Sequence, residues 1–153
     1  MTTQSADTGP GKLAIVEHID IDAAPEIVFR ALTDPNELRA WWRDAAAPAG
    51  AAAWEVDPRV GGRWRSRWRI GGSTEFEISG QILAIDPPRL LCYSWNDARY
   101  PESGTTTVQY DIVPTHSGCR VTVTHSDLVA ATPAFLDYSG GWSGVLELLA
   151  RTV

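Results

Sequence analysis

Residues 63–82 read RWRSRWRIGGSTEFEISGQI. From Arg63 to Ile70 the pattern repeats every second residue. Trp64, Ser66, Trp68 and Ile70 fall on one side, and Arg63, Arg65, Arg67 and Arg69 on the other. That is a strand with one face against an interior and the other in water. A second run, Glu75 to Ile82, points Phe76, Ile78 and Ile82 inward. The loop between the runs decides their register. Closing it on Gly71-Gly72 alone sets Glu75 opposite Trp68 and puts a carboxylate on the aromatic face. Closing it on Gly71-Gly72-Ser73 pairs Trp68 with Phe76, Arg69 with Glu75 and Arg67 with Glu77, so both faces stay consistent. The stretch predicts an antiparallel hairpin whose aromatic face needs a cover. The arginine face reads as the solvated convex side, offset by Glu75 and Glu77, rather than as an anion site.

The same alternation extends outward. Leu13, Ile15, Ile19 and Ile21 share one face of a first strand, which Glu17 interrupts. Pro25 suits the first position of a helix, because its missing N–H would be unpaired there anyway. Ile27, Val28, Ala31 and Leu32 give that helix its apolar face. Asp34 caps a second short helix, with Glu37 at the capping-box position and Leu38, Trp41 and Trp42 on its apolar side. Residues 45–53 are rich in Ala, Gly and Pro and read as a loose connector. Trp54 and Val56 then alternate with Glu55 and Asp57, and Gly61-Gly62 marks a turn.

After the hairpin come three more strands: Leu90–Asn96, Thr106–Val113 and Arg120–Asp127. Val108, Tyr110 and Ile112 share a face, as do Val121, Val123 and His125. Pro133 opens a final helix on which Phe135, Tyr138, Trp142, Leu146 and Leu149 form one apolar stripe. Gly140 and Gly141 weaken it by about 1 kcal/mol each relative to Ala, which suggests a bend or a close contact. An antiparallel sheet must cover its apolar face, and the helices are the available cover. The sheet is expected to curl around the last helix. Residues 1–11 lack apolar periodicity and read as a flexible, dispensable tail, leaving residues 12–153 as a single domain.

The 153-residue chain carries a net charge of -6, which argues against nucleic acid or an anionic membrane surface as the main partner. The N-terminus has no apolar signal-peptide core, and no run approaches the ~20 apolar residues of a membrane span. A cytoplasmic protein with Cys92 and Cys119 as reduced thiols is expected. The three His and two Cys lack metal-ligand spacing, and no metal or cofactor is expected. Gly141-Trp142-Ser143-Gly144 is not a nucleophile elbow, since that pattern wants Gly where Val145 stands and a strand before the Ser. There is no Gly-rich phosphate loop. His125, Ser126 and Asp127 are neighbours on a strand, so Ser126 points away from His125. No catalytic residue is assigned.

Several short pieces recur in a set order: Ala24-Pro25 with Val28-Phe29, Thr33-Asp34-Pro35 with Trp41-Trp42, and Gly61-Gly62-Arg63-Trp64. Then come Gly80 with Asp86-Pro87-Pro88-Arg89-Leu90, Trp95, Thr124-His125 and Gly141-Trp142. This set resembles the START-like helix-grip superfamily (SRPBCC). Within it, the chain is similar to the bacterial branch related to the C-terminal domain of the activator of the 90-kDa heat-shock chaperone ATPase. The resemblance covers residues 13–150. It implies an α+β helix-grip fold with a cavity between a curved sheet and the C-terminal helix. Many members bind lipids or other apolar molecules, and others are aromatases or cyclases. The chain ends at Val153, soon after Gly141-Trp142, which suggests a helix a turn or two short and bears on one cavity mouth.

The expected function is binding of a small hydrophobic or aromatic molecule. The candidate lining is Trp42, Trp54, Trp64, Trp68, Phe76, Tyr93, Trp95, Tyr110 and Trp142, with His125 and Glu17 as polar contacts. One alternative is an interaction module that regulates a chaperone ATPase through a protein partner. Another is an aromatase/cyclase-type enzyme using His125, Glu17 or Tyr110. For His125 the plainer reading is a buried ring hydrogen-bonded to a neighbour, or one at the strand's open end. For Glu17 a local twist that exposes the carboxylate is simpler than burying it, because an unpaired buried charge is costly.

Overall fold

The computed structural model describes residues 4–9, 12–43, 51, 53–70 and 74–153. In chain order it contains β1 (Gln4–Gly9), β2 (Lys12–Ile21), α1 (Pro25–Thr33), α2 (Pro35–Trp41) and β3 (Ala53–Val56). These are followed by β4 (Arg63–Ile70), β5 (Thr74–Asp86), β6 (Leu90–Asp97), β7 (Thr106–Pro114), β8 (Cys119–Val129) and α3 (Pro133–Thr152). The strands form one curved eight-stranded antiparallel sheet in the order β1-β2-β8-β7-β6-β5-β4-β3. α3 packs on β2 and β8, and α2 packs on β3. The long connection through α1 and α2 carries the chain from β2 to the opposite edge of the sheet.

The hairpin has the register that face consistency requires: Trp68 pairs with Phe76, Arg69 with Glu75 and Arg67 with Glu77. Trp64, Ser66 and Trp68 are buried, while Arg63, Arg65, Arg67 and Arg69 are exposed. Arg65 pairs with Glu55 at 2.8 Å, and Arg69 pairs with Glu75. The loop itself, residues 71–73, and most of the 45–53 connector lie outside the described residues.

Two glycines are needed where they stand. Gly61 has φ +82°, a left-handed conformation that a side chain disfavours. At Gly80 a Cβ would lie 1.8 Å from the Ser94 carbonyl oxygen and 2.7 Å from Trp64 Nε1. The bare backbone there lets Trp64 reach across β5 and donate to that same carbonyl at 2.8 Å.

The structure corrects several expectations. Residues 4–9 are not tail: they pair with β2 as an edge strand, from Gln4 opposite Val16 to Gly9 opposite Lys12. Main-chain hydrogen bonds hold such a strand without any apolar pattern. On α1, Phe29 is buried with Val28, Ala31 and Leu32, while Ile27 is 43% exposed. Both belong to the apolar arc, but the helix phase favours the ring. Asp34 caps α2 through Asn36 N and Glu37 N. Glu37 does not close a capping box, because the Asp34 N–H already donates to Arg30 O. Instead Glu37 meets the Arg30 guanidinium at 2.8 Å.

Glu17 is not twisted outward; it is fully buried. Its neighbours hold regular pairs, Val16 with Thr124 and His18 with Thr122, so β2 has no freedom to turn the carboxylate out. Gly140 and Gly141 make no close contact, since a Cβ at either meets open space. α3 runs unbroken through both. Cys92 and Cys119 are free and buried. Among the described residues no helix is long and apolar enough to cross a membrane.

Candidate functional site

The sheet's concave face carries a continuous aromatic cluster because β3, β4, β6 and β7 each point rings the same way. Trp42, the C-cap of α2, sits at its centre. Its ring lies 5.3 Å from Trp41, 5.4 Å from Trp54, 5.9 Å from Trp142, 6.3 Å from Trp68 and 6.5 Å from Trp95. Such pairs add about 0.5–1.5 kcal/mol each beyond the area they bury. Trp41 is tied down by its Nε1–H, which donates to Ala31 O at 2.8 Å.

Between this cluster and α3 lies a cleft of about 370 Å³, within the usual range for small-molecule sites. Trp42, Trp68, Ile78, Trp95, Trp142 and Val145 form its apolar surface. Arg99, Asp137 and Tyr138 supply its polar groups, and the bare backbone of Gly140 and Gly141 lies along the α3 side. Four of the candidate residues read from sequence therefore meet here: Trp42, Trp68, Trp95 and Trp142.

The others lie behind the cleft or beside it. Trp64 stacks on Tyr93 at 4.5 Å. Tyr93 and Tyr110 share a hydrogen bond of 3.2 Å between their hydroxyls, and burial raises the pKa of both. Phe76 lies under the Arg99 guanidinium, 4.4 Å from its ring centre. Trp54 is buried, and its Nε1 has no hydrogen-bond partner among the described residues. Glu17 is on β2, opposite Val123, and is not part of the lining.

His125 is fully buried, with both ring nitrogens engaged. Trp142 Nε1 donates to its Nδ1 at 3.0 Å. Nε2 must then carry the proton, and it donates to Thr106 Oγ1 at 2.7 Å. The Thr106 hydroxyl passes on to Trp95 O at 3.3 Å. Burial pulls the His125 pKa down to about 3, so the ring is neutral. It holds the Trp142 indole by that bond and packs against the Trp95 ring at 5.3 Å, without lining the cleft.

The polar mouth was not legible from sequence. Trp95 Nε1 donates to Tyr138 Oη at 3.0 Å, and Tyr138 Oη donates to Asp97 Oδ2 at 2.8 Å. Arg99 grips Asp97 through Nε at 3.1 Å and Nη2 at 2.8 Å. Its Nη1 lies 3.5 Å from Asp137 on α3. Tyr100 Oη donates to Asp137 at 2.8 Å. Burial works against the Arg99 charge, but the Asp97 bonds and the two carboxylates hold its pKa above the usual value. Burial and then the Asp97 charge raise the Tyr138 pKa. Tyr100 is pushed up to about 12 by burial and by Asp137. Asp97 ends β6 and Arg99 stands in the turn after it, whereas Asp137 and Tyr138 lie in the second turn of α3. The mouth is thus a seam between two elements that only the tertiary fold brings together. Among the described residues no group of three or more His, Cys, Asp or Glu is placed to hold a metal.

A curved antiparallel sheet that grips a C-terminal helix over an aromatic cleft defines a START-like helix-grip protein. The family model described as activator of Hsp90 ATPase homolog 1-like protein matches residues 22–153, and the chain belongs to that family. No curated protein sequence matches it. Among solved structures it is similar to the homolog-1-like protein of Aeromonas hydrophila, at 25% identity and TM-score 0.74, covering 92% of this chain and 91% of that one. It is also similar in fold to a Chromobacterium violaceum protein at 24% identity and TM-score 0.75, covering 92% and 96%. A Rhodobacter sphaeroides protein shares the fold at 22% identity and TM-score 0.74, covering 99% and 94%.

Proposed function

We propose that the protein binds a small, flat, largely apolar molecule in the cleft between the sheet and α3. The observation that carries this reading is the cleft itself: about 370 Å³, lined by the indoles of Trp42, Trp68, Trp95 and Trp142 and by two side-chain-free residues, Gly140 and Gly141. An apolar surface of this kind with a few polar groups at its edge is the usual chemistry of a small-molecule site. The polar groups at the mouth are bonded to one another, and His125 is neutral and sealed. The reading is therefore enclosure of a ligand rather than acid–base work.

A neutral naphthalene alcohol tests it. Titrated into the protein, it should quench tryptophan emission with saturation in the micromolar range, because any occupant of the cleft lies against Trp42, Trp68, Trp95 and Trp142. Trp68→Leu should weaken the quenching at least several-fold. If a panel of flat apolar compounds gives no saturable quenching, the cleft does not take ligands. The chaperone-regulating interaction module would then be the better reading.

A further inference from the structure

The charge at the mouth is the reverse of what the presence of an arginine suggests. Arg99 is turned to carboxylates: Nε and Nη2 are on Asp97, Nη1 faces Asp137, and the guanidinium plane covers Phe76 and Tyr100 at 4.4 and 5.2 Å. One guanidinium against the Asp97 and Asp137 carboxylates leaves the seam one negative charge in excess. Asp137 is the more open of the two acids, its side chain 41% exposed against 2% for Asp97. An anionic ligand would meet a net negative rim, in which Arg99 is already turned to two carboxylates.

The floor favours the same sign. Trp42, Trp68, Trp95 and Trp142 are each 5% exposed or less, so little of each ring is open to water. Their planes are inclined at 67° between Trp42 and Trp68, 64° between Trp42 and Trp142 and 56° between Trp95 and Trp142, while Trp42 and Trp95 lie at 30°. The walls turn corners and do not form one flat stack. The indoles pack on one another, and the parts of them that border the cleft, with a carboxylate at its edge, attract an organic cation through the ring quadrupoles, most strongly where water is excluded.

We infer that the cleft selects a compact organic cation, an alkylated ammonium joined to a flat apolar body, over neutral and anionic molecules of the same shape. The inference rests on the ligand-binding reading above and adds the sign of the ligand's charge. Gly140 and Gly141 leave room beside Asp137 for a bulky head group. The acidic balance of the chain, -6 overall, favours approach of the same ligand.

The test uses three matched probes on the full chain: a naphthylmethyl-trimethylammonium salt, the neutral naphthylmethanol and the anionic naphthylacetate. Affinities come from calorimetry at fixed ionic strength. The cation should bind about tenfold tighter than the alcohol, a ratio in keeping with a desolvated cation–π contact, and the acetate should bind weakest. Asp137→Asn, at a half-exposed site that should tolerate the change, should narrow the cation-over-alcohol ratio several-fold. Trp68→Leu should lower it as well, with folding verified by circular dichroism. Equal affinity for all three probes, or tightest binding of the acetate, would overturn the charge preference while leaving ligand binding intact. Binding of none of them would overturn both.

Discussion

His125 connects the cleft's walls to the core, and its environment sets a pH dependence. Its pKa is about 3 because the ring is sealed from water; in the unfolded chain it returns to about 6.5. With the folded value below the unfolded one, the unfolded chain binds more protons between those two values. The stability contribution is therefore complete above about pH 6.5 and is lost as the pH falls through that window. The slope approaches about 1.4 kcal/mol per pH unit where the difference is a full proton. His125→Gln keeps one acceptor for Trp142 and one donor for Thr106 but does not titrate. Denaturant melts from pH 7 to pH 4.5 should show a shallower loss in the variant than in the parent. Parallel slopes would mean that His125 takes up protons in the folded state. Trp142, its partner, touches Trp42, Trp95 and Tyr110 at 5.9, 5.6 and 6.1 Å and is 3% exposed. Trp142→Ala should cost about 3–5 kcal/mol, and a cost below about 1 kcal/mol would mean that the cluster closes around the loss.

At the scale of elements, α3 trades stability for an open cleft. Two adjacent glycines in a helix interior cost about 1 kcal/mol each relative to alanine, and here a methyl at either would meet nothing. Gly140→Ala with Gly141→Ala should raise stability by about 1–2 kcal/mol and weaken any cleft ligand, because the new methyls occupy the mouth. A variant that gains stability and binds as before would show that the helix side of the cleft is not used. β1 makes a different exchange. Deleting residues 1–9 strips the edge of β2 of its main-chain partners. The melting temperature should fall by several degrees, and the bared edge should promote association of the truncated protein. An unchanged melting temperature and a monomer by light scattering would show that β1 adds nothing.

The sequence spoke clearly wherever one rule acted alone. The alternation of Trp64, Ser66 and Trp68 against four arginines settled a face, and the charge pairs settled a register, because slipping a strand by one residue reverses every side chain. It failed where two rules compete. Glu17 sits on an apolar face at a residue that ought to be exposed, and the regular ladder of β2 outweighed the cost of burying it. β1 has no apolar pattern, because an edge strand can be held by its backbone. The apolar part of the cleft was legible: Trp68 follows from strand parity, Trp42 from the apolar side of α2 and Trp142 from the α3 stripe. The mouth was not, since Arg99 and Asp137 are far apart in sequence and meet only once α3 lies across the end of β6.

The whole molecule then gives the broadest prediction, because a ligand that binds only the folded chain stabilises every element at once. A ligand at about 100 times its Kd adds about 2.7 kcal/mol. For a chain of this size that corresponds to a rise of about 5–10 °C in melting temperature. Trp142→Ala should lower both the starting temperature and the ligand's increment, whereas His125→Gln should retain most of the increment, since the ring does not line the cleft. Scanning calorimetry of the parent and both variants, with and without a saturating probe, separates these effects. An increment lost in His125→Gln but kept in Trp142→Ala would put the ligand on the β8 side of the core and away from the tryptophan floor.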